Sequence, residues 1–211
     1  VVYLGAGTSA RIAAMDAAEM IPSFGLRPDR FVVVQPASPN LADEHYEDPE
    51  DDEHGSIDAL NQMGANRQDV LVALAASGRT PFVLAGTRHA RQKGIWVCGI
   101  ANNRQSPLLH ESDLPIFLDT GPEVLTGSTR LKAATAQKLA LNQISTVAMV
   151  LSGKVIENLM VDVNAHSHKL KERCVRIVRD LTTATEHEAQ ELLEQNDWSI
   201  RRVLDLLRAT V

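Results

Sequence analysis

The chain has 211 residues, 44% hydrophobic and 23% charged, which is enough for one well-buried domain and a small second one. Its formal net charge of -6 at pH 7 argues against nucleic acid and anionic membranes as partners. The sequence has no apolar run of membrane-helix length and no visible signal peptide, and Cys98 and Cys174 belong to no metal motif. We therefore expect a cytoplasmic protein without a metal site. Because the chain opens inside an apparent strand without Met, we also expect a segment to precede it.

Short apolar runs alternate with helical patterns along most of the chain. The predicted strands cover residues 1–4, 31–34, 70–75, 95–100 and 114–118. The predicted helices cover residues 9–20, 57–63, 81–93, 106–110 and 128–152, and the Met and Leu stripes of the last one are interpreted as core. This alternation predicts an α/β fold with a parallel sheet covered by helices on both faces.

A helical tail is predicted after residue 156, where the strands stop. Thr185-x-x-Glu188 is a capping box, which marks the start of a helix. We divide the chain into a sheet domain, residues 1–155, and a helical appendage, residues 156–211, in which residues 181–211 are expected to form a small bundle. The apolar positions at helical spacing in this tail are Ala189, Leu192, Leu193, Ile200, Val203, Leu204 and Leu207.

Three loops of glycine and hydroxyl residues follow predicted strands. They are Gly5-Ala-Gly-Thr-Ser-Ala-Arg11, Ala75-Ala-Ser-Gly-Arg-Thr-Pro81 and Gly121-Pro-Glu-Val-Leu-Thr-Gly-Ser-Thr129. Each loop alone is equally typical of a turn or a helix cap, but three in one domain favour binding of an anion by backbone N–H groups and helix ends. The sequence lacks a third fingerprint glycine and GxxxxGK[ST], so a sugar phosphate fits better than a nucleotide. The predicted substrate-binding residues are Gly7, Thr8, Ser9, Ser77, Gly78, Arg79, Thr80, Glu123, Ser128 and Thr129.

Segments 3–9, 74–82, 121–132 and 154–163 closely resemble the N-acetylmuramic acid 6-phosphate etherase family of sugar isomerase (SIS) domain enzymes. The resemblance covers nearly the whole chain. It implies a doubly wound flavodoxin- or Rossmann-like sheet with a small tail similar to ubiquitin-associated domains. It also implies a cytoplasmic homodimer that converts a phosphorylated amino sugar, N-acetylmuramic acid 6-phosphate, to N-acetylglucosamine 6-phosphate and D-lactate, without a metal, nicotinamide or other cofactor.

Such an ether cleavage needs two carboxyl groups. One must be ionised to remove the C2 proton of the open-chain sugar, and one must be neutral to protonate the leaving C3 oxygen. The family motifs match Glu19 in Asp16-Ala-Ala-Glu19 and Glu50 in Glu47-Asp-Pro-Glu-Asp51. Without the resemblance, both would be interpreted as solvated charges. Glu123 is interpreted as a third carboxylate that orients the sugar.

The spacing of the first loop and Glu19 bears on assembly. A helix that runs from Ser9 to Glu19 separates them by roughly 15 Å along its axis, which is longer than a hexose phosphate. We therefore expect Glu19 to reach a substrate that the loops of a second subunit hold, at a dimer interface.

Two other functions stay open beside the etherase. One is an aldose–ketose phosphate isomerase, which also needs a base at C2. The other is a non-catalytic sugar-phosphate sensor of the glucokinase-regulatory-protein type. The Glu19 and Glu50 pair favours an enzyme, whereas Gln35-Pro-Ala-Ser-Pro39 in place of a family Gly-Gly favours the sensor. Ala10 also replaces a family glycine in the first loop.

Overall fold

A five-stranded parallel sheet forms the centre of the larger part of the chain. The computed structural model describes residues 1–37 and 49–209. The strands are β1 (Val2–Gly5), β2 (Val32–Val34), β3 (Val70–Leu74), β4 (Trp96–Ala101) and β5 (Leu114–Phe117), in the order β2-β1-β3-β4-β5. All four pairings are parallel, which confirms the predicted α/β class.

The central strands are buried on both faces, as parallel strands between two helical layers must be. Leu4 of β1, Leu71 of β3 and Ile100 of β4 have no exposed surface. Phe82 and Leu108, on helices that follow β3 and β4, are also buried, and Phe82, Leu108, Leu4 and Leu71 belong to one apolar cluster with the strands. This rigid core fixes where the loops at the carboxyl ends of the strands lie.

The helices of this region are α1 (Gly7–Phe24), α2 (Glu53–Gln62), α3 (Pro81–Gln92), α4 (Pro107–His110) and α5 (Lys132–Leu151). Helix α1 continues past Pro22, where the sequence pattern predicted its end near residue 20. Gly25 ends it instead, with φ of 60° and its N–H donating to the carbonyl of Ile21 at 3.0 Å. A glycine in the left-handed region is a common helix terminator.

Two further helix starts differ from the prediction because carboxylates cap them. Asp52 accepts hydrogen bonds from the N–H groups of His54 and Gly55, so α2 begins at Glu53. Helix α5 begins at Lys132, after the predicted start at residue 128. Its predicted core stripe is wrong in part, since Leu139 and Leu151 are 56% and 83% exposed.

The chain folds as two compact units, Val1–Ala17 with Asp29–Asn142, and Ala18–Pro28 with Gln143–Val211. The second unit contains an antiparallel hairpin, β6 (Val155–Ile156) and β7 (Leu159–Met160), so the prediction that strands stop at residue 156 is wrong. A functional or folding boundary at residue 155 stays a prediction.

Three helices complete the second unit, α6 (His168–Leu181), α7 (Glu186–Gln195) and α8 (Ile200–Ala209). The capping box at Thr185 and Glu188 is present at the start of α7, as predicted. Cys174, Ile177 and Val178 of α6 pack in one buried cluster with the apolar residues of α7 and α8. The core of this unit therefore extends beyond residues 181–211. Of the helices in the described ranges, none has the length and apolarity needed to cross a membrane.

Candidate functional site

The strand order places a crevice between β1 and β3. After β1 the chain continues to β2 on one side of the sheet, and after β3 it continues to β4 and β5 on the other side. Ligands of open α/β sheets bind at such a point, outside the carboxyl ends of the strands. The first predicted loop follows β1 directly, and the second follows β3 directly. Two of the three predicted anion loops thus flank the expected binding crevice.

The first loop lies against Glu50. Gly7 begins α1 with φ of 53°, and a Cβ built on it would lie 2.7 Å from Oε1 of Glu50. Glu50 belongs to a short 3₁₀ turn, Pro49–Asp51, just before α2. The neighbouring hydroxyl of Thr8 accepts a hydrogen bond from Arg11 at 3.1 Å. A predicted catalytic carboxylate and a predicted binding loop are therefore side by side, although they are far apart in the sequence.

The hydroxyl of Ser9 points into a buried polar network. It donates to Oε1 of Gln137 at 2.8 Å, and Nε2 of Gln137 donates to Oδ1 of Asn102 at 3.2 Å. Asn102 in turn donates to the carbonyl of Leu118 at 3.0 Å. Gln137 is 1% exposed. The network joins α1, α5 and the ends of β4 and β5, so Ser9 has a structural role in addition to its predicted contact with the anion.

The second loop depends on a glycine that has no room for a side chain. Gly78 has φ of 65°, and a Cβ on it would collide with the side chain of Ser106 and lie 3.2 Å from Cβ of Ala101. The Ser77 hydroxyl accepts a hydrogen bond from the N–H of Arg79, and Thr80 precedes the first residue of α3. This packing fixes the backbone of the loop at the mouth of the crevice.

Ser106 lies behind the second loop, and no motif in the sequence indicates it. Its side chain is fully buried, and its hydroxyl has no hydrogen-bond partner among the described residues. Gln137 and Asn102 were missed for the same reason. The available signal was weak: an Asn directly after a buried strand.

In the third loop, a carboxylate of the loop itself binds the amino end of α5. The carboxylate of Glu123 accepts hydrogen bonds from the backbone N–H groups of Ala133 and Lys132, at 2.9 and 3.1 Å. These bonds, the one from Ala133 most, lower the pKa of Glu123. Ser128 and Thr129 lie in turns before the helix, with their N–H groups bonded to Leu125 and Gly127. The structure thus shows Glu123 as a cap of α5, and its contact with a sugar stays a prediction.

Glu19 and its neighbour Asp16 have different environments on α1. Glu19 is exposed and belongs to the second compact unit. Asp16 is buried and accepts a hydrogen bond from the hydroxyl of Tyr3 at 2.8 Å. Burial, and then the charge of Asp16, raise the pKa of Tyr3. Asp16 therefore anchors the helix that carries Glu19, whose catalytic role stays a prediction.

Part of the predicted site lies outside the described residues. Ser38 and Pro39 of the unusual loop after β2 are among them, as are residues 47 and 48 of the acidic run. Within the described ranges, no group of three His, Cys, Asp or Glu side chains is placed to hold a metal ion.

Comparison with known proteins identifies the family. The SIS domain model matches residues 54–147. An N-acetylmuramic acid 6-phosphate etherase of Deinococcus radiodurans is 44% identical over 207 residues, which cover 98% of this chain and 68% of that relative. The chain belongs to the N-acetylmuramic acid 6-phosphate etherase family. An etherase of Salmonella schwarzengrund is 43% identical over 201 residues, covering 95% of this chain and 68% of the relative.

Solved structures agree on the fold. A protein of E. coli CFT073, solved with a bound ligand, superposes with a TM-score of 0.55 and 16% identity, over 74% of this chain and 72% of that chain. At this identity the likeness shows the architecture alone. The etherase family and the SIS fold predicted from the sequence motifs are thus both confirmed, and the family is one of carbon–oxygen lyases.

Proposed function

We propose that this chain cleaves the lactyl ether of N-acetylmuramic acid 6-phosphate, giving N-acetylglucosamine 6-phosphate and D-lactate. The observation that carries the proposal is the contact between Glu50 and the first loop, at the crevice where the sheet reverses its winding. A carboxylate beside a sugar-phosphate loop supplies a proton-transfer group where the substrate would lie. Membership of the etherase family specifies which bond breaks.

The proposed reaction balances without a cofactor. A carboxylate removes the C2 proton of the open-chain sugar, the electron pair forms the C2–C3 double bond, and the C3–O bond breaks. A carboxylic acid protonates the departing oxygen, which leaves as D-lactate. Water then adds across the double bond, with its hydroxyl at C3 and a proton returned to C2. The net change is hydrolysis of the ether.

We assign Glu50 as the base and Glu19 as the acid. Glu50 lies against the residue that begins α1, and the amino end of a helix favours negative charge. The phosphate is proposed to bind the second loop, residues Ser77 to Thr80. The close packing of Gly78 fixes the backbone of this loop. This arrangement keeps the phosphate and the base on different loops of the same crevice.

We further propose that the enzyme is a cytoplasmic homodimer. Val147, Val150 and Leu151 of α5 are 54%, 46% and 83% exposed, and they lie three and four residues apart on one side of the helix. Exposed apolar side chains grouped in this way are typical of contact surfaces between proteins. A second copy of the chain is the partner that the family resemblance implies.

The decisive experiment is an assay of D-lactate release from N-acetylmuramic acid 6-phosphate. Glu19→Gln and Glu50→Gln should each lower turnover about 10²- to 10⁴-fold, since an amide keeps the shape but transfers no proton. Both variants should still bind the sugar phosphate. Asp51→Asn, an exposed neighbour of Glu50, is the matched control and should keep its activity. In deuterated water, the wild-type product should carry deuterium at C2.

A sugar-phosphate sensor is the second candidate, favoured by the altered loop that begins at Gln35. It predicts that the wild-type chain binds the sugar phosphate but neither releases lactate nor exchanges the C2 proton. That pair of results would overturn the etherase proposal. Full activity of Glu19→Gln alone would instead remove Glu19 from proton transfer and leave the proton transfers to Glu50 or Glu123.

A further inference from the structure

The space that the missing side chain of Gly7 leaves is taken by the carboxylate of Glu50. A Cβ built on Gly7 would lie 2.7 Å from Oε1 and 3.8 Å from Cδ of Glu50, and outside its chain neighbours and the backbone of its own helix it would meet no other described atom within 4 Å. Non-bonded carbon and oxygen atoms do not approach to 2.7 Å without repulsion, because their optimal separation is about 3.5 Å. Glu50 can therefore hold this position only if residue 7 has no side chain.

Other left-handed glycines of the chain differ from Gly7 in what surrounds them. Gly64 has φ of 68°, and a Cβ there would have no described atom within 4 Å. At Gly78 the colliding group is the side chain of Ser106, which is buried and cannot easily move. At Gly7 the group is the far end of a flexible side chain. A methyl group on Gly7 would consequently displace the carboxylate, in addition to the strain of a side chain on a left-handed backbone.

We infer that Gly7 is a positioning residue for Glu50, beyond any contact of its backbone with the sugar. Its lack of a side chain lets the carboxylate lie against the amino end of α1, where the base must approach the substrate. This inference rests on the proposed function, in which Glu50 is the base. A displacement of about 1 Å in a reacting group can lower the rate on the order of 10²-fold.

The test compares Gly7→Ala with Gly64→Ala. Both variants place a Cβ on a left-handed backbone, so they should lose similar amounts of stability in urea unfolding. Gly7→Ala should lower kcat for lactate release about 10- to 10²-fold with a smaller change in KM, whereas Gly64→Ala should keep the wild-type kcat. The difference in kcat between the variants separates the effect of displacing Glu50 from the effect of strain in the left-handed backbone, which both variants share.

A double-mutant cycle with Glu50→Asp gives the second readout. Aspartate is one methylene shorter, so it avoids the methyl group of Ala at position 7. Glu50→Asp should therefore lower kcat several-fold less in the Gly7→Ala background than in the wild type, because the effects of substituting two residues in contact are not additive. Additive effects on kcat, or equal kcat in the two glycine variants, would overturn the inference.

The failure of this inference is distinguishable from the failure of the proposed function. If Glu50→Gln is inactive and the cycle is additive, Glu50 is catalytic but Gly7 does not position it. If Glu50→Gln is fully active, or if the wild-type protein releases no lactate, both the proposed function and this inference are wrong.

Discussion

The carboxylate of Glu123 shows how much one residue at a helix start can determine. It accepts hydrogen bonds from two N–H groups that would otherwise lack partners within α5. The helix begins at Lys132, where this cap binds, and not at the predicted residue 128. Its negative charge also meets the positive end of the helix dipole. A residue interpreted as a sugar ligand is therefore a helix cap in this structure.

This cap should make stability depend on pH. The pKa of Glu123 is lowered in the fold, so its contribution is present above the ordinary glutamate pKa of about 4.3 and is lost as the pH falls through the folded value. Glu123→Gln should be less stable than the wild type at pH 7. The difference in unfolding free energy, measured in urea, should shrink in acid. A difference that stays constant down to about pH 2 would contradict a charged cap.

The link between helices α1 and α5 depends on one amide. Gln137 accepts a hydrogen bond from Ser9 and donates one to Asn102, and the whole side chain is buried. Because Ser9 is in the first loop and Asn102 follows β4, the position of α5 is coupled to that of the crevice. Elements that are separate in the sequence are joined here by side chains.

Gln137→Met should lower the free energy of unfolding by about 1–3 kcal/mol, because it leaves buried polar groups of Ser9 and Asn102 without their partner. The volume hardly changes, so the effect reports the hydrogen bonds. Gln143→Met on the same helix, at an exposed position, should change stability by less than about 0.5 kcal/mol. Equal urea midpoints for the two variants would show that the network adds no stability.

A second link ties the β6–β7 hairpin region to α8. Asp162 accepts from Arg201 at 2.7 Å and pairs with Lys154 at 2.7 Å, with only 16% of its side chain exposed. Burial pushes the pKa of Asp162 upward, but the hydrogen bonds from Arg201 and Lys154 outweigh it, so the pKa is lowered. The stabilisation is thus present above the ordinary aspartate pKa, about 3.9, and is lost below the folded value.

Asp162→Asn should destabilise the protein at pH 7 by about 1–3 kcal/mol, because two cations lose their charged partner. Asp197→Asn is the matched control, since Asp197 forms an exposed pair with Arg202 and has a left-handed backbone that asparagine tolerates. The control should change the urea midpoint little. If both variants behave alike, the Asp162 cluster is no stronger than a surface ion pair.

At the scale of the whole molecule, the exposed apolar residues of α5 lead to a prediction about assembly. Val147→Lys should shift the proposed homodimer toward monomer in analytical ultracentrifugation, because a charge in an apolar interface loses its hydration. Thr146→Lys places the same charge at an exposed neighbouring position, and it should shift the dimer toward monomer less than Val147→Lys does. A wild-type protein that sediments as a monomer at all concentrations would exclude the dimer.

The sequence by itself determined the five strands of the parallel sheet to within a residue at each end, the capping box of α7 and the three loops that follow strands, but not the β6–β7 hairpin. These features depend on local periods of burial and on hydrogen bonds between residues a few positions apart, which a linear pattern records. The etherase family also followed from short motifs, because the residues that carry it are contiguous.

Only the tertiary structure decided that Glu50 lies against Gly7, that Ser9 reaches Gln137 across 128 positions, and that Ser106 lies behind Gly78. Each pair is brought together by packing of helices onto the sheet, and neither partner carries a local signal of the other. The carboxylate caps were equally hidden, Asp52 within an acidic run that resembles solvated charge and Glu123 within a loop interpreted as part of the anion site. Contacts between distant residues depend on the whole fold, and a pattern of neighbours cannot contain them.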